Sequence, residues 1–185
     1  MMTDLDNLMD FAARTARAAG DVTLRYFGSA AVRFKGDGSE VTAADVEAEA
    51  HIRAALAEAF PEDGVMGEED VETPSRSGRR WIIDPIDGTR SFASGVPLYS
   101  VLLTLEDAGR PILGCAHLPG VAGTLVAAVG AGAWLEGVRV RVSDCDELAG
   151  ARLSRFDGSP LAPMSDALAS NALLHDRAAG ILLGG

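Results

Sequence analysis

The twelve residues from Trp81 to Phe92, W-I-I-D-P-I-D-G-T-R-S-F, constrain this chain more than any other stretch. Trp81, Ile82 and Ile83 form a short apolar run rich in strand formers, which predicts a buried strand. Asp84 falls at its end, where Pro85 has no N–H for the ladder and stops the strand. Asp87 and Gly88 predict a turn, and Thr89 predicts the cap of a following helix. Two carboxylates three residues apart, bent round a proline, then converge at a sheet edge. Hard cations such as Mg2+ suit that arrangement, because they take oxygen ligands and keep open positions for water and phosphate. The amides of Gly88 and Thr89 point outward beside the carboxylates, where an anion can settle. An Asp-Gly pair by itself is only a common solvated turn. The length of the pattern sets this one apart.

Composition narrows the partners. The 185 residues suffice for one domain with a substantial core, and 48% hydrophobic with 23% charged residues is an ordinary globular mixture. A net charge of −11 argues against a nucleic-acid surface, which needs clustered Lys and Arg. Cys115 and Cys145 are the only cysteines and form no C-x-x-C, so both are expected to be reduced and the chain cytoplasmic. Pro111 to Leu135 contains no Asp, Glu, Lys or Arg. Its Pro119-Gly120 and further glycines predict short strands with turns, so no membrane span is expected.

Around the central stretch, helical periodicity covers Thr3 to Phe27, with Leu5, Leu8, Met9, Ala12, Ala16, Ala19 and Thr23 on one stripe. Val32 to Lys35 predicts a short strand. Thr42 caps a second helix, with Asp45 in the place of a capping-box acid. Ile52, Ala55, Leu56, Ala59 and Phe60 are expected on its buried face, and Pro61 marks its end. Val65-Met66 leads out of the core into Gly67-Glu68-Glu69-Asp70. Strands are then predicted over Ser100 to Leu105, Pro111 to His117, Gly123 to Val129, Gly132 to Leu135 and Val138 to Val142. His117 is expected to pack at a strand end, and three scattered histidines argue against zinc. Helices followed by a strand meander give an α+β class, an antiparallel sheet covered by the two N-terminal helices.

The Trp81–Phe92 segment resembles the signature of the inositol monophosphatase family, the Mg2+-dependent, lithium-sensitive phosphomonoesterases. V-T-A-A-D, ending at Asp45, is similar to the family's T-x-x-D segment, and G-E-E, from Gly67, to its glutamate motif. The resemblance implies a layered α-β-α(-β-α) sandwich, Mg2+ as cofactor, a small phosphorylated metabolite as substrate, and a homodimer. Carried over residue by residue, it implies that Glu68, Asp84 and the carbonyl oxygen of Ile86 hold one Mg2+. Asp84 and Asp87 would hold a second, bridging to phosphate, and the amides of Gly88 and Thr89 would grip the phosphate oxygens. Glu68 and Thr89, the latter oriented by Asp45, would position and deprotonate the attacking water. Lys35 sits where the family often has a lysine near the phosphate. S-F-x-x-G-V-P-L-Y, from Ser91 to Tyr99, resembles the histidinol-phosphatase branch, which makes histidinol phosphate the first expected substrate and inositol 1-phosphate the second. A shortened relative that binds metal or phosphate without turnover is the alternative.

The chain departs from the family after the meander. The W-D-x-A-A segment of the second domain is absent; His175-Asp176-Arg177-Ala178-Ala179-Gly180 is its nearest look-alike. Phe156 to Leu161 and Ala167 to Leu174 match the family's last strand and final helix better. Residues 1–150 are therefore expected to form the metal- and phosphate-binding domain and 151–185 a remnant of the second. A gap near Ala151 to Arg155 is favoured over Asp176 as a replacement ligand.

Overall fold

Strict alternation of buried and half-buried residues along β5 (Ser100–Asp107) sets the orientation of the whole sheet. Val101, Leu103 and Leu105 face one side and are fully buried, together with Trp81 and Ile83 of β4 (Arg79–Asp87) and Leu113 and Cys115 of β6 (Arg110–Leu118). Against this face pack α1 (Asp4–Leu24), over β5, β6 and β7 (Gly123–Ala128), and α2 (Ala43–Ala59), over β4. The structure, a computed structural model, describes residues 4–29, 31–34, 36, 40–142 and 144. The chain divides into two compact units, Met1–Arg141 and Val142–Gly185, and the description that follows concerns the first. Lys35, Cys145, Asp176 and the segment expected to be a second-domain remnant lie outside the described residues.

The seven strands run in sequence order, from β3 (Gly64–Met66) through β4, β5, β6 and β7 to β8 (Gly132–Leu135) and β9 (Val138–Val140). From β4 onward every pairing is antiparallel, with α3 (Thr89–Ala93) in the connection from β4 to β5 and short turns between most of the later strands. β3 differs by running parallel to β4, so the sheet is mixed rather than wholly antiparallel. β1 (Arg33–Phe34) and β2 (Glu40–Val41) form a separate antiparallel ribbon.

Aromatic packing fixes the site's supporting strand. Trp81 is 0% exposed, stacks on Phe60 at 5.6 Å and tilts against Phe11 at 5.9 Å. Its indole N–H donates to Asp63 at 3.1 Å, and the other Asp63 oxygen accepts from the Ser77 hydroxyl at 2.6 Å. A buried carboxylate is tolerable when both oxygens are hydrogen-bonded. A smaller cluster of Ala44, Ile86, Phe92 and Tyr99, flanked by Tyr26 and Phe27, lies beneath the end of β4. Phe92 and Tyr99 meet edge to face at 4.9 Å, and the Tyr99 hydroxyl pairs with the buried hydroxyl of Thr23 at 3.0 Å.

Two expectations need correction. The buried face of α2 consists of Ala44, Ala48, Ile52 and Leu56 with Asp45 and Glu49, whereas Ala59 is exposed. β4 does not stop at Asp84. It continues to Asp87 through a bulge, since Asp84 pairs with Leu102 and Asp87 with Ser100, three positions on one strand against two on the other. The extra residue lets Pro85, which has no N–H, pass within the strand.

Candidate active site

Asp84 and Asp87 lie at the end of β4, Asp45 at the start of α2 and Glu68 just after β3. Thr42 caps α2 in a full capping box: Ala44 N–H donates to Thr42 Oγ1 at 3.1 Å, and Thr42 N–H and O–H donate to Asp45 Oδ2 at 2.8 and 2.6 Å. This places Asp45, 2% exposed, at the N-terminal end of α2. Burial pushes the Asp45 carboxyl up, the Thr42 bonds pull it down, and the charge of Glu68 raises it again. Asp84 is half-buried, and its Oδ1 accepts the Ile86 N–H at 3.1 Å. Its carboxyl is pushed from the ordinary 3.8 up to about 7, first by burial, then by the charges of Glu68 and Asp87, with a smaller push from Asp45. Those electrostatic influences draw Asp45, Glu68, Asp84 and Asp87 into one acidic region.

The carboxylates are not closed on a common point. Among the described residues no three His, Cys, Asp or Glu side chains are gathered to hold a metal ion as they stand. Glu68, Asp84 and Asp87, the carboxylates expected to hold the ions, are thus not gathered into one such group as they stand. The donor set nonetheless suits a hard divalent cation, being all oxygen and crowded with negative charge that such an ion would relieve.

The turn beyond β4 also differs from expectation. Gly88, not Thr89, is the cap of α3 (Thr89–Ala93), with φ +96° in the left-handed region. A side chain there would be strained by that φ, and its Cβ would come within 3.2 Å of the Leu98 carbonyl oxygen. Thr89 is the first helical residue, and its hydroxyl donates to the Ile86 carbonyl oxygen at 3.0 Å. Asp45 accepts from Thr42, so the expected orientation of Thr89 by Asp45 is not among the bonds that hold either side chain here. Asp87 is exposed, with the Ser100 hydroxyl 3.4 Å from its Oδ2.

Two other titratable side chains, His117 and Cys115, are buried on β6. His117 is buried, its Nδ1 2.9 Å from Thr124 Oγ1, and burial pushes its pKa down. It packs at a strand end, as expected. The Cys115 thiol is buried and pushed up to about 12, which makes it unreactive at neutral pH.

Sequence reading missed Glu49. This α2 glutamate is 1% exposed, and its carboxylate accepts from the backbone N–H groups of Glu68, Glu69 and Asp70 at 3.0, 2.8 and 3.0 Å. The available signal was its spacing, one turn after Asp45 and beside the Ala44, Ala48, Ile52 stripe.

A mixed sheet backed by two helices, with acids at a bulged strand exit ahead of a glycine-capped turn, defines an α+β protein built around an oxygen-rich site. The model of the inositol monophosphatase family matches residues 4–182, and the chain belongs to that family. A histidinol-phosphatase of Chlorobaculum parvum is 48% identical over 137 residues, covering 73% of this chain and 53% of that protein. A histidinol-phosphatase of Mycobacterium tuberculosis is 38% identical over 156 residues, covering 80% of this chain and 60% of that protein. An IMPase structure from Thermotoga maritima aligns with TM-score 0.70 and 35% identity, over 75% of this chain and 54% of that one. The chain thus spans little more than half the length of the relatives it matches. No described helix is long and apolar enough to cross a membrane.

Proposed function

We propose that this chain hydrolyses a small phosphate monoester with Mg2+, and that histidinol phosphate is its substrate. The observation that carries the reading is the acidic region centred on Asp84, whose pKa of about 7 marks a carboxylate crowded by Glu68, Asp87 and Asp45. Glu68, Asp84, Asp87 and the Ile86 carbonyl oxygen are the groups that would hold the metal. When bound, the cations supply charge neutralisation on the phosphoryl group and a lowered pKa for the attacking water. Thr89 donates its proton to the Ile86 carbonyl, which leaves its oxygen lone pairs to accept from and orient a water molecule. Glu68 acts beside it as the base, and Asp45 adds its charge to the acidic region around Asp84. The first-turn amides at Gly88 and Thr89 have no acceptor within α3 by the geometry of helix ends, and they are proposed to meet the phosphate oxygens.

The substrate assignment is supported by the 48% and 38% identities to histidinol-phosphatases and by the Ser91–Tyr99 segment. Inositol 1-phosphate is second. Inorganic phosphate release from both esters, with and without Mg2+ and lithium, is the test: faster Mg2+-dependent release from histidinol phosphate is expected, and equal rates on every monoester would overturn the assignment. One further reading is a family member that binds cations without turnover, which the acids' not being gathered round one point among the described residues favours. Mg2+ binding with no phosphate release from either ester is the outcome that reading requires.

Proton linkage gives a second expected result. Because folding raises the Asp84 pKa from 3.8 to about 7, its contribution to stability is full below the unfolded value and is lost as pH rises through about 7. A cation has the opposite preference and binds the carboxylate. Mg2+ affinity is therefore expected to rise with pH across this range. Calorimetry at about pH 6 in two buffers of different ionisation heat should show protons released on binding, and the release should fade by about pH 8. Equal binding heats in both buffers at the lower pH would contradict this.

A further inference from the structure

We propose that Glu49 is a positioning residue for Glu68, its buried carboxylate fixing the backbone of residues 68–70 so that the Glu68 side chain is presented to the acidic site. The proposal rests on Glu68 being a site carboxylate. After β3 the chain bends, and three successive N–H groups lose their ladder partners. Glu49 takes all three: Oε2 accepts from Glu68 and Glu69, and Oε1 from Asp70. Consecutive amides turned to one side form a concavity that binds an anion, and here the anion comes from the protein itself. Arg53, one turn on, completes the arrangement. Its Nε donates to Glu49 Oε1 at 2.8 Å and its Nη2 to the Asp70 carbonyl oxygen at 3.1 Å.

A carboxylate 1% exposed would be very costly without partners, and four N–H donors meet this one. Gly67 is required by the same contact. A Cβ at that position would lie 2.2 Å from Glu49 Oε1 and 2.5 Å from its carboxyl carbon, so any side chain would displace the carboxylate. Asp45 and Glu49 are four residues apart on α2 and share a face. One rigid helix therefore sets two members of the region, Asp45 directly and Glu68 through the loop. Preorganisation of this kind matters for a metal site, because a ligand on an unfixed loop must be ordered at the moment of binding.

Glu49→Gln tests the proposal in the full chain. The amide NH2 would face N–H donors that now have an oxygen, so part of the grip is lost while size is kept. Hydrogen exchange in the absence of divalent ions is expected to show the amides of residues 68–70 losing about tenfold of their protection while the sheet amides keep theirs. Calorimetric Mg2+ half-saturation should rise about tenfold or more, with KM for the phosphomonoester at saturating Mg2+ unchanged. Gly67→Ala, which leaves Glu49 in place chemically, should reproduce both effects and decides the matter if Glu49→Gln does not fold. The double variant should be no worse than the poorer single one. A folded variant with unchanged protection at 68–70, or with protection lost everywhere and Mg2+ half-saturation unchanged, overturns the proposal. If the unsubstituted protein binds no Mg2+, the phosphatase reading falls, and exchange at 68–70 alone then decides whether Glu49 holds the loop.

Discussion

Asp84→Asn is expected to lower phosphomonoester turnover by about three orders of magnitude while leaving the protein folded. Asparagine keeps the shape of the side chain and one oxygen to accept the Ile86 N–H, so the bulge in β4 has no reason to change. What disappears is a negative charge that Glu68, Asp87 and burial already oppose. The stability of the cation-free protein should accordingly move the other way from its activity. With Asp84 the folded state holds a proton that the unfolded state has lost between about pH 4 and pH 7, so stability drains away across that window. An uncharged amide at this position removes the source of that loss. The variant should melt a few degrees higher at neutral pH without Mg2+, and the difference should shrink as pH falls toward 4. A residue that destabilises the resting protein and is needed for turnover is a site residue rather than a structural one. Unchanged phosphate release by a folded Asp84→Asn protein would remove Asp84 from the mechanism.

The largest stability effect is expected from Trp81→Ala. Trp81 is the only large aromatic side chain on the helix-facing side of β4, 0% exposed between Phe11 and Phe60. Its removal leaves a cavity among residues of α1, α2 and β4 and deprives the buried Asp63 carboxylate of its indole donor, leaving the Ser77 hydroxyl. Truncation of a buried aromatic residue typically costs about 3–5 kcal/mol, a large share of a domain's stability. Urea unfolding should show a fall of that size in the midpoint-derived stability. Trp81→Phe, which refills most of the volume but cannot donate to Asp63, should cost clearly less. Equal stability of the alanine variant and the parent would mean that β4 is held by something other than this packing.

Much of the architecture was legible because local rules agreed with the global fold. The Thr42 and Asp45 pair announces a capping box, and the structure forms it with both reciprocal bonds. The meander from Ser100 onward is marked by short apolar runs broken by glycine-containing turns, and each expected strand is present within a residue or two. Misreadings arose where tertiary context overrode a local signal. Pro85 looked like a strand terminator, yet a one-residue bulge lets β4 carry on to Asp87. Thr89 looked like a cap, but the left-handed conformation available to Gly88 takes that role and frees the Thr89 hydroxyl for the Ile86 carbonyl. The parallel pairing of β3 with β4 is set by where α2 delivers the chain, which no residue near Val65 encodes.

Glu49 was the least visible feature. A glutamate four residues before an arginine on a helix reads as an exposed ion pair, and Glu49 and Arg53 do pair, with Glu49 fully inside the protein. Its true partners are backbone N–H groups nineteen to twenty-one positions away, which carry no side-chain signature. Besides its spacing after Asp45, the glycine before Glu68 is consistent with a close approach to the backbone there.

Calorimetric titration of Mg2+ into the protein at about pH 8, beside the same titration of Asp84→Asn, bears most directly on the acidic region as a cation site. The account predicts saturable binding by the parent and its loss or severe weakening in the variant. Indistinguishable titrations, whether both bind or neither does, would contradict it.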